Sequence, residues 1–169
     1  MSLDYTIYNR QMNAARERGR SDALDLRARS ANMDGTGLIA EERKCPVFDP
    51  QKDYSDWARG APVRELVDGE YQVFVLLQPH NAAHYPTSTP SSTPSLWGLC
   101  HTKDPAHAKP FVPPLGTSGL YMDGECCTAD GRVYRHKGDN GAYSPAEYPA
   151  NWEDLGTIEE VALNVSGNL

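Results

Sequence analysis

Apolar positions along this chain follow two patterns. Residues 4–31 are rich in helix formers, with Ala14, Ala15, Ala23, Leu24, Leu26 and Ala28 set among six arginines between positions 10 and 29. The composition predicts helix, weakened near residues 19–21 by Gly19 and Ser21, with Ser21 or Asp22 capping a second helix to about residue 31. Its apolar stripe is thin, reading Ile7, Met12 and Ala15, then Leu24, Ala28 and Ala31. Apolar area contributes only about 25 cal/mol per Å². Such a helix is expected to pack on a partner chain, another protein, or its own small domain.

The second pattern is short apolar runs bounded by turn residues. Residues 71–78 (YQVFVLLQ) are the strongest strand, entered through Asp68-Gly69 and ended by Pro79-His80-Asn81. A shorter strand reaches Thr128, turns at Asp130-Gly131 and returns through Val133-Tyr134-Arg135-His136. Prolines make residues 45–50 an irregular connector, residues 85–95 an exposed loop and residues 101–116 a semi-rigid strap. Residues 161–165 read as a terminal strand. The fold class expected is mainly β: small antiparallel β modules preceded by an N-terminal helical segment. The divisions are a helical attachment or oligomerisation segment at 1–44, a first module at 45–100, the strap at 101–116 and a second module at 117–169.

The two modules echo one another. Gly60-x-x-Val63 matches Gly124-x-x-Cys127, and Asp68-Gly69-x-Tyr71 matches Asp130-Gly131-x-Val133, tight turns in which glycine takes positive φ without penalty. Asn81 matches Asn140, Tyr85-Pro86 matches Tyr143-Ser-Pro145, and Pro94-Ser-Leu-Trp97 matches Pro149-Ala-Asn-Trp152. Each unit of about 40 residues lies at the limit of independent stability. A tryptophan placed to cover a small core suits that size, so Trp97 and Trp152 are expected to close their modules.

Charge narrows the partners. The formal net charge is −7; residues 1–44 hold eight Lys/Arg against seven Asp/Glu, and residues 45–169 hold eight against sixteen. Acidic modules are poor polyanion binders, so no nucleic acid partner is expected. The acids interspersed in the arginine run predict a salt-bridged helix face. Cys45, Cys100, Cys126 and Cys127 are read foremost as buried free thiols. A disulfide or a zinc site using Cys100, His101 and His107 matches no strong spacing. No metal and no cofactor are expected. Neither a classical secretion signal nor membrane insertion is expected from the sequence.

These residues resemble the small chitin- and cellulose-binding modules of families five and twelve, found in bacterial chitinases and in phage and prophage tail proteins. The second module carries the likeness through Tyr121, Gly124-Glu-Cys-Cys127, Gly131, Val133-Tyr134, Asn140, Ser144-Pro145 and Pro149-Ala-Asn-Trp152. Residues 57–97 match more loosely. Cys127 stands where the family has valine, and Arg135-His136-Lys137 where it has a strand aromatic. The resemblance implies modules of carbohydrate-binding type in a noncatalytic, tail-associated structural protein that contributes to host surface recognition. It implies location in the virion tail, or in the cytoplasm before assembly. Partners would be a homo-oligomer such as a trimer, other tail proteins, and a surface glycan. A free-standing carbohydrate-binding protein is the alternative; a glycan hydrolase accessory comes last.

Stacking on a pyranose needs an exposed aromatic face with polar groups beside it. The carbohydrate-binding candidates are Tyr54, Trp57, Tyr85, Tyr134, Tyr143 and Tyr148, with Tyr121 also in the second module's set. Trp57, Tyr143 and Tyr148 have the most loop-like surroundings. No catalytic set emerges: no Gly-x-Ser-x-Gly elbow, no phosphate-cradling loop and no carboxylate pair flanked by strand ends.

Overall fold

The computed structural model describes residues 2–167. Helix α1, Ser2–Arg29, runs through Gly19 and Ser21 without a break, correcting the two-helix expectation. A glycine costs a helix about 1 kcal/mol, and the flanking alanines, leucines and arginines outweigh it. The stripe also differs from the expected one. At about 100° per residue, Tyr5, Tyr8, Met12, Ala15, Gly19 and Leu26 share an arc of about 80°, and Ile7 lies well outside it. Leu26 is fully buried, whereas Tyr5, Tyr8 and Met12 on the same arc are exposed. The helix therefore docks by its C-terminal end and extends past the body.

That docking end is fixed by both contact and charge. Helix α2, Gly35–Ala40, is capped by Asp34, whose carboxylate accepts from Gly37 N–H. It delivers Leu38 and Ile39 to a core shared by Leu26, Cys45, Val73 and Cys100. Arg29 bridges Asp25 at 2.8 Å and Glu41 at 2.9 Å, tying α1 to the end of α2.

Two sheets follow. The first is antiparallel, with β1 (Pro62–Val67), β2 (Glu70–Leu76) and β3 (Trp97–Leu99) in that order. The second is mixed: β4 (Lys109–Pro110) lies parallel to β5 (Cys126–Ala129), and β6 (Arg132–His136) and β7 (Trp152–Thr157) continue it antiparallel. The strap thus supplies β4 to the second sheet. Gln72 of β2 donates from Nε2 to Pro110 O, joining the first sheet to it. Counted over the chain, helix is 34% and strand 25%, because α1 alone takes 28 residues.

The hairpins share one plan. Asp68 and Gly69 have φ of 50° and 89°, and Asp130 and Gly131 have 50° and 74°. Positive φ at both central residues gives the turn whose twist matches paired strands. Gly60 N–H donates to Leu76 O at 2.8 Å, and Gly124 N–H to His136 O at 2.9 Å. Leu77 N–H then donates to Leu96 O, and Lys137 N–H to Asn151 O, each at 2.8 Å. Trp97 consequently lies opposite Leu76, and Trp152 opposite His136.

The chain end corrects another expectation. Residues 161–165 belong to helix α3, Ile158–Ser166, and only Val161 of it is buried. Thr157 and Glu160 form a reciprocal capping box, so two orphan backbone donors are satisfied at the helix start. That local signal outweighs the strand preference of two valines.

Candidate ligand-binding aromatics

Each sheet is closed by an aromatic cluster of the same composition. Trp97 meets Phe48, Tyr54 and His80 edge to face, with centroids at 5.7, 5.2 and 5.5 Å. Trp152 meets Phe111 and His136 edge to face at 6.3 and 4.7 Å, and Tyr121 at 5.2 Å and 69°. Phe48 stacks on Tyr54, and Phe111 on Tyr121. The tyrosine hydroxyls are used alike: Tyr54 accepts from Asp49 N–H at 2.9 Å and Tyr121 from Val112 N–H at 3.2 Å. Trp97 and Trp152 are buried.

Tyr54 is 1% exposed, which corrects its place among the glycan candidates, and Tyr121 is buried to the same degree. Both point inward because their hydroxyls have backbone partners inside the cluster. Burial pushes both hydroxyls' pKa up. Trp57 is also not the free face its loop suggested. Its edge abuts Tyr54 at 4.7 Å, and the Arg27 guanidinium of α1 lies 4.3 Å from its ring centroid. Tyr134 is half-buried on β6, packed against the second cluster. Tyr85 is exposed, with one edge contact to His80 at 6.0 Å.

Among the glycan candidates, Tyr143 and Tyr148 form the most open ring pair. They are 61% and 49% exposed, with centroids 6.5 Å apart and planes at 50°. Their loop is fastened at several points. Gly141 exchanges backbone hydrogen bonds with Tyr121 at 2.8 and 2.9 Å, and Trp152 Nε1–H donates to Tyr143 O at 3.1 Å. Between the tyrosines, Ser144 N–H donates to the Glu147 carboxylate, Glu147 N–H to Ser144 Oγ, and Tyr148 N–H to Ser144 O. The Ser144 hydrogen bonds hold the Glu147 carboxyl below its ordinary range. Glycine is required at 141, because a Cβ there would overlap the His136 ring.

This arrangement can stack a pyranose on either ring, with the ionised Glu147 carboxylate on the same loop as an acceptor for sugar hydroxyls. The sequence pointed to both tyrosines but not to Phe48 and Phe111. Those lie outside the spans that echo one another, and only a proline within two residues before each marks them.

Reactive groups are placed unlike a nucleophilic site. All four cysteines are free and buried. Burial pushes the Cys45, Cys100 and Cys127 thiols up to about 12, far from thiolate at neutral pH. His101 stacks on Tyr121 at 3.8 Å and pairs with Gly119 O; His107 pairs with Asp104 at 2.7 Å. Among the described residues, no three His, Cys, Asp or Glu side chains converge as metal ligands, and no helix is long and apolar enough to cross a membrane.

No protein family matches the chain, and no curated protein matches it.

Proposed function

We propose that the chain is a noncatalytic structural protein of a phage or prophage tail, in which small β units of carbohydrate-binding type contribute to recognition of a host surface glycan. The observation that carries the reading is the exposed Tyr143–Tyr148 pair on a loop locked to the second aromatic cluster. A platform already ordered loses little entropy on binding. The tail setting comes from the likeness of residues 121–152 to modules found there. In this reading α1 is the attachment device. The stripe that buries Leu26 continues outward as Ala15, Met12, Tyr8 and Tyr5, a surface that parallel copies of the same helix would cover in a homo-oligomer.

Pull-down and calorimetry on chitin, cellulose and cell-wall oligosaccharides test the platform. Wild type is expected to bind one glycan class, and Tyr143→Ala and Tyr148→Ala each to lose at least about tenfold in affinity, about 1.4 kcal/mol. Undiminished binding in both variants, or no binding to any of the three, refutes it. Solution mass separates the tail reading from a free-standing binder, which would be a monomer.

A further inference from the structure

The arginine run of α1 forms the salt-bridged face its interspersed acids predict only at its end, through Arg29. Arg29 pairs with Asp25 and Glu41, but Arg16, Arg20 and Arg27 have no ion pair among the described residues. They border a cleft between α1 and the segment leading into β1. One half, about 360 Å³, is lined by Arg16, Arg20, Arg43, Lys44 and Arg64 with no carboxylate. The other, about 430 Å³, shares Arg20, Ala23, Pro46 and Val47 with the first, so the two are continuous, and adds Arg27 and Lys52. Asp49 is the single carboxylate lining either half among the described residues.

Seven of the chain's 16 Lys and Arg therefore line one groove of a protein with net charge −7. Outside the cleft, Arg29, Lys109, Arg132 and Arg135 each have an acid partner, and among the described residues the other five Lys and Arg have none. Within the cleft, among the described residues, only Lys44 has an acid partner, Glu41. Like charges that outnumber the acids beside them repel, and an anion between them removes the cost. Arg64 shows the same deficit at one atom. Its guanidinium lies over Tyr71 at 4.4 Å, and its Nε is buried with no hydrogen-bond partner. Gly19 leaves room, since an added Cβ there meets nothing within 4 Å.

We propose that this cleft binds a base-free phosphodiester polyanion, of the polyol-phosphate class. Guanidinium forks match phosphate oxygens two at a time, and a groove in two continuous halves suits successive phosphates better than one small ion. Nucleic acid is disfavoured by the aromatics. Single-strand binding draws on exposed aromatic faces that bases stack upon. Here Tyr54 is buried and the Trp57 face is taken by Arg27. This site is independent of the tyrosine platform, and either can fail alone.

The test uses the full chain with three probes matched in charge: a glycerol-phosphate oligomer, pyrophosphate and single-stranded DNA. The expected result is binding of the glycerol-phosphate oligomer, tighter than either other probe, with log affinity falling linearly against log salt. Arg20→Glu with Arg43→Glu should weaken it at least about 100-fold, each lost charge-assisted hydrogen bond being worth about tenfold or more. Arg18→Glu with Lys137→Glu makes the same change in net charge away from the cleft and should leave affinity within about threefold. Circular dichroism confirms that both double variants keep α1. No binding of the oligomer, equal loss in the two double variants, or DNA or pyrophosphate binding as tightly as the oligomer overturns the proposal.

Discussion

Removing one hydroxyl from each aromatic cluster tests whether the two units are built alike. In Tyr54→Phe the ring contacts with Phe48, Trp57 and Trp97 remain, and Asp49 N–H loses its acceptor. In Tyr121→Phe the Val112 N–H loses its acceptor in the same way. A net hydrogen bond is worth about 0.5–1.5 kcal/mol, and an orphaned donor in a half-buried site adds to that. Each variant should therefore lose about 1–2 kcal/mol, or about 2–8 °C of Tm for a chain this long. The clusters share no residue, so the double variant should equal the sum within about 0.5 kcal/mol. Urea titration followed by tryptophan emission reads both, because Trp97 and Trp152 each lie 5.2 Å from their tyrosine. Tyr85→Phe, on an exposed ring, should stay within about 0.5 kcal/mol of wild type. Loss at one cluster and none at the other would refute the shared plan, as would a loss no larger than that of the exposed control.

Two further outcomes follow from local geometry. Hydrogen bonds from Arg29 and Lys44 hold the Glu41 carboxyl at about 2, down from an ordinary 4.5. The folded value lies below the unfolded one, so this tie between α1 and α2 is fully present above pH 4.5 and is lost as pH falls from there through about 2. Trp57 emission should report Arg27 leaving its ring over that interval, and Glu41→Gln should remove the transition; an unchanged profile in that variant would refute the assignment. Gly141 and Gly19 should respond with opposite signs in thermal melts. Gly141→Ala overlaps His136 and should cost about 1–3 kcal/mol, while Gly19→Ala meets open space in a helix and should gain about 1 kcal/mol.

Local signals in the chain foretold local structure well. Asp68-Gly69 and Asp130-Gly131 specify hairpins because their backbone demands are met by few residue pairs, and the short runs beside them pair as antiparallel strands. The burial of Trp97 and Trp152 was legible from the proline-to-tryptophan spacing. Long-range contact was not. Nothing near Trp57 in sequence announces that Arg27, thirty residues earlier, will cover it, or that the Tyr54 hydroxyl will turn inward to Asp49 N–H. Gly19 and Ser21 predict a break that α1 does not have, because a glycine's cost of about 1 kcal/mol is small beside the helix formers on both sides. The basic cleft was hidden for a related reason: its charges come from separated stretches of chain, at 16–27, 43–44, 52 and 64, that only the fold brings together.

One consequence of α1 concerns distance. Twenty-eight residues at 1.5 Å each make a rod about 42 Å long, gripped by the body near its Leu26 end. Whatever holds the far tip also decides how far out the tyrosine-bearing sheet is carried, so shortening the rod by whole turns would draw that sheet back toward its mooring in steps of about 5.4 Å without altering a single contact inside it.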